Sequence, residues 1–297
     1  MSNDSKSDVL RFVRVHFSLK KESGIHKYTY FNNPMLPIYK AHSFSKVLSG
    51  GSTRPWLVVV NVDGKTVPYV VKLYTTSHIN NSRSVTKEVY CSILTDIFSL
   101  QTPNPALIEF TSAFISGLPP EIQKELLQKD QRIKFGCEYI DGSYQYIDTM
   151  HRDSLKKYDI QSIYAFDNLI KNVDRRNEKS NILLKGASTY LIDHELTLVV
   201  NQNTIDAFNN NEWVYFKQRH IFYSHLKSSS VEEKRKYFED FHKNLVNANF
   251  DILDDYGNQL INLDHESEEK FWEVKNYLCT LKDKPDRFIN LLKGGLA

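Results

Sequence analysis

The pattern of apolar and polar positions divides the chain into a strand-rich first part and a helix-rich second part. Residues 9–19 alternate in polarity, which predicts a strand. Residues 56–62 form a β-favouring run, and Asp63-Gly64 predicts a hairpin turn into a partner strand over residues 67–73. A further short strand is predicted over residues 106–110.

Apolar residues at helical spacing predict helices in both parts of the chain. The first spans residues 85–100 and ends before Pro103-Asn104-Pro105. The other predicted helices span residues 119–129, 160–171, 231–246 and 268–292. Residues 135–146 are apolar and punctuated by glycine, and we interpret them as a crossing between two lobes. This order of elements predicts an α+β fold with a strand-rich N-lobe and a mostly helical C-lobe.

A polar loop followed by two short apolar runs is the most informative segment. The loop contains Asp174 and ends at Asn181, and the runs at 182–184 and 191–192 predict a hairpin that ends at Asp193. Such a hairpin places two carboxylates and an amide at one end of a small sheet. Phosphoryl transfer needs this set, with one carboxylate near the attacking hydroxyl and Asn and Asp oxygens for magnesium. An ordinary polar hairpin fits this segment equally well when it is taken alone.

Two features earlier in the chain favour nucleotide chemistry. Gly50, Gly51 and Ser52 precede the strand pair, and backbone N–H groups in such a loop can cradle phosphate, although no Walker A sequence occurs. Lys72 lies near the end of the second strand, where a lysine can reach nucleotide phosphates and be held by a Glu of the next helix, here Glu88. A plain turn and a solvated lysine are the simpler interpretations, but they do not explain the order of these residues.

Charged residues around the polar hairpin have several interpretations. His151-Arg152-Asp153 mimics a kinase catalytic sequence, but Tyr158 stands where that sequence needs Asn, so we interpret it as a surface cluster. We expect Arg175 and Arg176 to hold substrate or phosphate charge. For His194, steadying the metal-binding Asp and a structural hydrogen bond are equally good hypotheses.

Composition narrows the class of protein. The chain has 297 residues, of which 41% are hydrophobic and 25% charged, which fits one large domain or two lobes. The net charge of +2 gives no indication of nucleic-acid or acidic-membrane binding. Cys91, Cys137 and Cys279 lack metal-binding spacing, and the start of the chain has no signal-peptide pattern. We therefore expect a cytoplasmic protein without a membrane span.

Four segments, in this order, resemble the HipA-like kinases, a bacterial family related in fold to protein kinases and phosphatidylinositol kinases. The segments are Gly50 to Val58, Tyr69 to Lys72, Asn172 to Leu184 and Leu191 to His194. Lys87-Glu88-Val89 is also similar to a helix start in that family. The resemblance extends over roughly residues 45–199 and implies ATP and Mg²⁺ as cofactors.

The pattern of elements and the resemblance together divide the chain, and the resemblance implies roles for its residues. Residues 1–44 would be a strand-rich extension, residues 45–140 the N-lobe and residues 141–297 the C-lobe. The implied roles are catalysis for Asp174, metal binding for Asn181 and Asp193, phosphate contact for Lys72 with Glu88 orienting it, covering of the phosphates by Gly50, Gly51 and Ser52, and an adenine-side hinge at Glu138 and Ile140.

The function implied is that of an ATP- and Mg-dependent protein serine/threonine kinase. Arg176, Lys179-Ser180 and Glu195 differ from the residues common in the family, but no metal or phosphate ligand is removed. Self-phosphorylation is expected at Ser49, Ser52 or Thr53. A small-molecule or lipid kinase and a nucleotide-binding pseudokinase that acts as an interaction module remain the alternatives. The acceptor is unknown, and an antitoxin-like partner is left open.

Overall fold

The computed structural model describes residues 35–49, 53–147, 150, 152–212 and 219–297. All of them belong to one unit of the chain, residues 33–297. The predicted strand over residues 9–19, His151 and the loop residues Gly50, Gly51 and Ser52 lie outside the described residues.

Five strands close into a barrel in the order β1-β2-β3-β5-β4. The strands are β1 (Ile38–Val47), β2 (Trp56–Val62), β3 (Lys65–Val71), β4 (Pro105–Glu109) and β5 (Lys134–Glu138). β1 and β4 pair in parallel, and the other neighbours are antiparallel. The predicted strands at 56–62, 67–73 and 106–110 are confirmed within a few residues. β1 begins at Ile38, inside the segment that the sequence assigned to an extension.

The β2–β3 hairpin sets the position of Lys72. Asp63 and Gly64 have φ values of 50° and 80°, as a two-residue turn of the type I′ kind requires. The turn pairs Val62 with Lys65 and fixes the register of the whole hairpin. As a consequence, the alternate residues Trp56, Val58 and Val60 of β2 point into the barrel core. Lys72 then follows the last residue of β3 at the end of the barrel.

Four helices accompany the barrel strands, and the second of them is deeply buried. They are α1 (Thr76–Asn80), α2 (Ser84–Ile97), α3 (Ser112–Ser116) and α4 (Pro120–Leu126). Residues 84–95 of α2 are all buried, so this helix carries Glu88 into the interior. α2 belongs to the larger of the two hydrophobic clusters, which it shares with the helices of the second part.

A three-stranded sheet follows the barrel in the order β6-β7-β8. Its strands are β6 (Tyr144–Gln145), β7 (Ile182–Lys185) and β8 (Ser188–Leu191). The β7–β8 hairpin is the one that the sequence predicts. Residues 135–146 include most of β5 in the barrel and all of β6 in this sheet, and so they connect the two sheets.

The second part of the chain is mostly helical. Its helices are α5 (Arg152–Leu155), α6 (Ile160–Leu169), α7 (Gln202–Asn209), α8 (Tyr223–Lys227), α9 (Val231–Arg235), α10 (Glu239–Asn247), α11 (Ile252–Asn262), α12 (Glu268–Asp283) and α13 (Pro285–Gly295). The single helix predicted over residues 231–246 is two, because Phe238 has a left-handed φ of 68° before α10. Pro285 likewise starts α13, since proline fits the first turn of a helix better than its interior.

The observed class is thus α+β, strand-rich first and helical second. Among the helices of the described part of the chain, none combines the length and apolar character that crossing a membrane requires.

Candidate active site

Lys72 joins three elements that are distant in sequence. The backbone N–H of Lys72 donates to Phe135 O at 3.1 Å, which continues the β3–β5 pairing by one residue. The Nζ of Lys72 donates to the carboxylate of Glu88 on α2. The same Nζ lies 2.6 Å from Oδ1 of Asp193, which follows β8. A barrel strand, a buried helix and the polar hairpin therefore meet at one ammonium group.

Burial and charge act in opposite directions on this cluster. Burial alone would lower the pKa of Lys72, but Glu88, Tyr74 and Asp193 outweigh it and raise that pKa well above its ordinary value. Burial alone would raise the pKa of Glu88, and Lys72 outweighs it, so the pKa of Glu88 is lowered. Lys72 is therefore an ammonium and Glu88 a carboxylate at neutral pH.

Glu88 also receives hydrogen bonds from two other groups. The backbone N–H of His194 donates to Oε1 at 3.1 Å, and the hydroxyl of Tyr74 donates to the same oxygen at 3.3 Å. The His194 N–H directly follows Asp193 in the chain. Glu88 thus fixes both Lys72 and the backbone next to Asp193, which gives His194 a structural role through its main chain.

Asn181 and Asp193 lie at the same open end of the β7–β8 hairpin. The Ile192 N–H donates to Asn181 O at 3.0 Å and holds the two segments together. Asn181 and Asp193 have φ values of 51° and 63°, in the left-handed region that is unusual for residues other than glycine. Such conformations cluster at functional sites, where the surrounding structure enforces them.

Asp174 is buried beside Asn181. The Nδ2 of Asn181 donates to Oδ2 of Asp174 at 3.1 Å, and the backbone N–H of Asp174 donates to Oδ1 of Asn172 at 2.9 Å. The structure thus brings Asp174, Asn181 and Asp193 to one place, together with Lys72 and Glu88.

Lys179 links the two carboxylates of this site, which the sequence analysis did not anticipate. Its Nζ lies 2.6 Å from Oδ2 of Asp174 and 2.8 Å from Oδ2 of Asp193. Burial works against its charge, but the hydrogen bonds to the two Asp residues outweigh burial and raise the pKa of Lys179. Burial alone would raise the pKa of Asp193, and Lys72 and Lys179 together lower it.

Contrary to the expectation from the sequence, Arg175 is not oriented toward a substrate. The residue is only 1% exposed and its side chain points inward, so it does not present its charge to a substrate. Its Nε donates to Oδ2 of Asp167 at 2.6 Å, and its Nη1 donates to the carbonyls of Ser180 and Asn181. Arg175 therefore supports the backbone of Asn181 from below. Arg176, by contrast, is partly exposed and donates to Oδ1 of Asp174 at 3.3 Å.

Asp167 anchors this support from α6. It accepts hydrogen bonds from Nδ2 of Asn172 at 2.8 Å and from Nε2 of His220 at 2.9 Å, besides that of Arg175. Burial alone would raise the pKa of Asp167, but Arg175 and His220 lower it to about 2. The Nδ1 of His220 accepts from the Phe222 N–H at 3.2 Å, so Nε2 carries the proton that is donated to Asp167. No local sequence signal marks Asp167 or His220.

Glu138 and Ile140 lie at and beyond the end of β5. Oε2 of Glu138 accepts from Nδ2 of Asn104 at 2.6 Å, and the carbonyl of Ile140 accepts from Ser143. Burial raises the pKa of the neighbouring Cys137 thiol to about 12, and Lys72, Glu88 and Asp193 also act on it. The end of β5 therefore lies close to the Lys72 cluster.

The donor set suits magnesium better than a metal held entirely by protein. Within the described ranges no group of three or more His, Cys, Asp or Glu residues could hold a metal ion. Mg²⁺ is usually bound by one or two carboxylates together with substrate phosphates and water. Asp193 and the amide of Asn181, at the same hairpin end, fit this pattern, and the remaining ligands would come from nucleotide.

Comparison with known proteins gives a family match. The sequence model of the family described as HipA-like kinase matches residues 42–276 of the chain. No curated protein matches the sequence. Among solved structures, the crystal structure of the Helicobacter pylori proinflammatory kinase CtkA is similar, with 13% identity and a TM-score of 0.45, over 86% of this chain and 95% of CtkA.

Proposed function

The chain belongs to the HipA-like kinase family, and from that premise we propose that it is an ATP- and Mg-dependent protein serine/threonine kinase. It transfers the γ-phosphate of ATP to a hydroxyl group of a protein. Residues 45–140 form the N-lobe of a kinase-like fold and residues 141–297 the C-lobe, with residues 1–44 as an extension. The protein acts in a bacterial cytoplasm.

The observation that carries the proposal is the position of Lys72. A lysine at the end of a barrel strand, paired with a Glu of the following helix and adjacent to a metal-binding Asp, is the arrangement that protein kinases need for activity. Here Lys72 contacts Glu88 and Asp193 at the same time. A pseudokinase would have no need for this complete set, and we therefore prefer an active enzyme.

The residues divide the chemistry between them. Lys72 binds the nucleotide phosphates, held in place by Glu88, and Gly50, Gly51 and Ser52 cover those phosphates. Mg²⁺, held by Asn181 and Asp193, supplies charge neutralisation for the transferred phosphoryl group. Glu138 and Ile140 contact the adenine side of ATP.

Asp174 acts on the acceptor. It orients the hydroxyl and takes its proton while the hydroxyl oxygen forms a bond to the γ-phosphorus. The bond between the γ-phosphorus and the bridging oxygen breaks, and ADP leaves with that oxygen. Arg175 and Asp167 keep the loop in position for this step through the backbone of Asn181.

The proposal predicts separate effects on binding and transfer for Asp174→Asn. Phosphate transfer from labelled Mg-ATP should fall roughly 100- to 10,000-fold, the usual contribution of a general base. ATP binding, measured by calorimetry, should stay close to that of the unaltered protein, because Lys72, Glu88 and Asp193 are intact. Transfer at the unaltered rate would contradict the role of Asp174.

Self-phosphorylation is a part of the proposal with its own test. Ser49 is exposed and Thr53 half-buried, on either side of Gly50, Gly51 and Ser52. After incubation with Mg-ATP, phosphosite mapping should find phosphate on Ser49, Ser52 or Thr53. Finding phosphate at none of the three would remove this part and leave transfer to another protein standing.

A further inference from the structure

Lys179 has a relation to the metal-binding carboxylate that none of the assigned roles explains. The Oδ1 of Asp193 is 2.6 Å from the ammonium of Lys72, and its Oδ2 is 2.8 Å from the ammonium of Lys179. Both oxygens of Asp193 therefore already have a cationic partner. A divalent cation that binds Asp193 has to compete with at least one of these two ammonium groups.

Of the two ammonium groups, that of Lys179 can move away from Asp193. The side chain of Lys72 is 12% exposed and is also held by buried Glu88, whereas the side chain of Lys179 is 32% exposed. The backbone of Lys179 is fixed, because its N–H and C=O both bond to Arg176 at 3.1 and 3.0 Å. Its four-carbon side chain can therefore turn to a new partner without moving Asn181.

The phosphates of a nucleotide are the partner that this ammonium would meet. Lys179 lies between Asp174, where the acceptor hydroxyl is oriented, and Asp193, where the metal is held, so its Nζ is beside the path of the transferred group. Anionic phosphate oxygens attract an ammonium that a divalent cation repels. Arg176 contacts Asp174 but has no bond to Asp193 among the described contacts, and so it is not placed to act in this way.

We propose that Lys179 couples metal binding to nucleotide binding, opposing a divalent cation at Asp193 until phosphates bind its ammonium, and that it then contacts the transferred phosphoryl group. This role rests on the proposed function, because it requires ATP at this site. By linkage, the same residue strengthens metal binding when nucleotide is present and nucleotide binding when metal is present.

The test uses the full chain and two separate titrations. Mn²⁺ alone, without nucleotide, is titrated and its free concentration followed by electron paramagnetic resonance. ATP alone, in EDTA, is titrated by calorimetry. For Lys179→Met we expect Mn²⁺ alone to bind roughly tenfold more tightly and metal-free ATP roughly tenfold more weakly, within the usual range of coupling between sites.

Two variants control for charge and for folding. Lys185→Met removes one positive charge at the exposed end of β7, in the same hairpin, and should change neither titration. Lys179→Arg keeps the charge and should bind Mn²⁺ alone as weakly as the unaltered protein does.

Opposite shifts in the two titrations support the proposal, because a merely structural defect would weaken both. Unchanged or weaker Mn²⁺ binding in Lys179→Met overturns it, even if the unaltered protein is an active kinase. An unaltered protein that neither binds ATP nor transfers phosphate overturns this inference together with the proposed function.

Discussion

At the scale of single residues, the site depends on ionised groups held away from water. The side chain of Glu88 is almost completely buried, and its charge is tolerated because Lys72, Tyr74 and the His194 N–H all point at it. An ion pair of this kind adds little net stability as a unit, but removal of one partner leaves a buried charge without compensation. The pair therefore serves to position Lys72 more than to stabilise the fold.

Glu88→Gln should lower both the stability of the fold and the activity. We expect a loss of about 3 kcal/mol in the free energy of unfolding. This is the low end of the range for a broken buried ion pair, because Lys72 still forms its ion pair with Asp193. Urea unfolding measures this loss. Glu212→Gln, at an exposed position after α7, makes the same chemical change and should leave the urea midpoint unaltered. Equal midpoints for the two variants would contradict the structural importance of the Lys72–Glu88 pair.

At the scale of elements, α6 and the loop after it form the base of the site. Asp167 of α6 holds Arg175, which holds the carbonyls of Ser180 and Asn181 before β7. The helix thus determines where the amide of Asn181 lies. His220, from the segment before α8, closes the same network from the other side.

Asp167→Asn should destabilise the protein, because the buried guanidinium of Arg175 loses its carboxylate. We expect a loss of about 3–5 kcal/mol in the free energy of unfolding. Asp159→Asn is the control on the same helix: Asp159 caps α6 by accepting from the Ser162 N–H, and Asn caps equally well. Urea unfolding of both variants measures this loss. An Asp167→Asn midpoint equal to that of Asp159→Asn would refute the account of this network.

The sequence predicted the elements whose signals are local. The Asp63-Gly64 turn fixes β2 and β3, and thereby Lys72, without help from distant residues. Asp174, Asn181 and Asp193 could be chosen from their order around one hairpin. The inward direction of Arg175 could not, because its partners Asp167 and His220 are set by tertiary packing. The contacts of Lys179 could not be predicted either, since a lysine in a polar loop has the same local pattern whether it is solvated or bridges two carboxylates.

At the scale of the whole molecule, the connection between α11 and α12 holds the helical part to the barrel part. Thr86 of α2 donates to His265 O at 2.8 Å, Arg83 pairs with Glu266, and Arg132 before β5 contacts Asp264. His265 is buried in the middle of these contacts. Burial, followed by the charge of Arg132, lowers the pKa of His265 to about 4, against smaller opposite effects of the Ile133 backbone and Asp130.

Because of buried His265, we expect the protein to lose stability in acid. Unfolded His titrates near pH 6.5 and folded His265 near 4, so between these values the unfolded chain binds more protons. The free energy of unfolding therefore decreases as pH falls. The loss reaches roughly 3 kcal/mol and levels off below about pH 4. Urea unfolding from pH 7 to 4 measures it, and His265→Gln should flatten the curve over that range. A variant curve parallel to the unaltered one would contradict the assignment.

Phosphate transfer at the site where Lys72, Asp174 and Asp193 meet can be tested directly by mass spectrometry. The full chain is incubated with Mg-ATP, alone and with a bacterial lysate, beside the Asp174→Ala variant, and proteins are analysed by intact-mass and phosphosite mass spectrometry. We expect new phosphoserine or phosphothreonine that depends on ATP and is absent with the variant. ATP binding in a thermal-shift assay without any transfer would contradict the account and identify a pseudokinase.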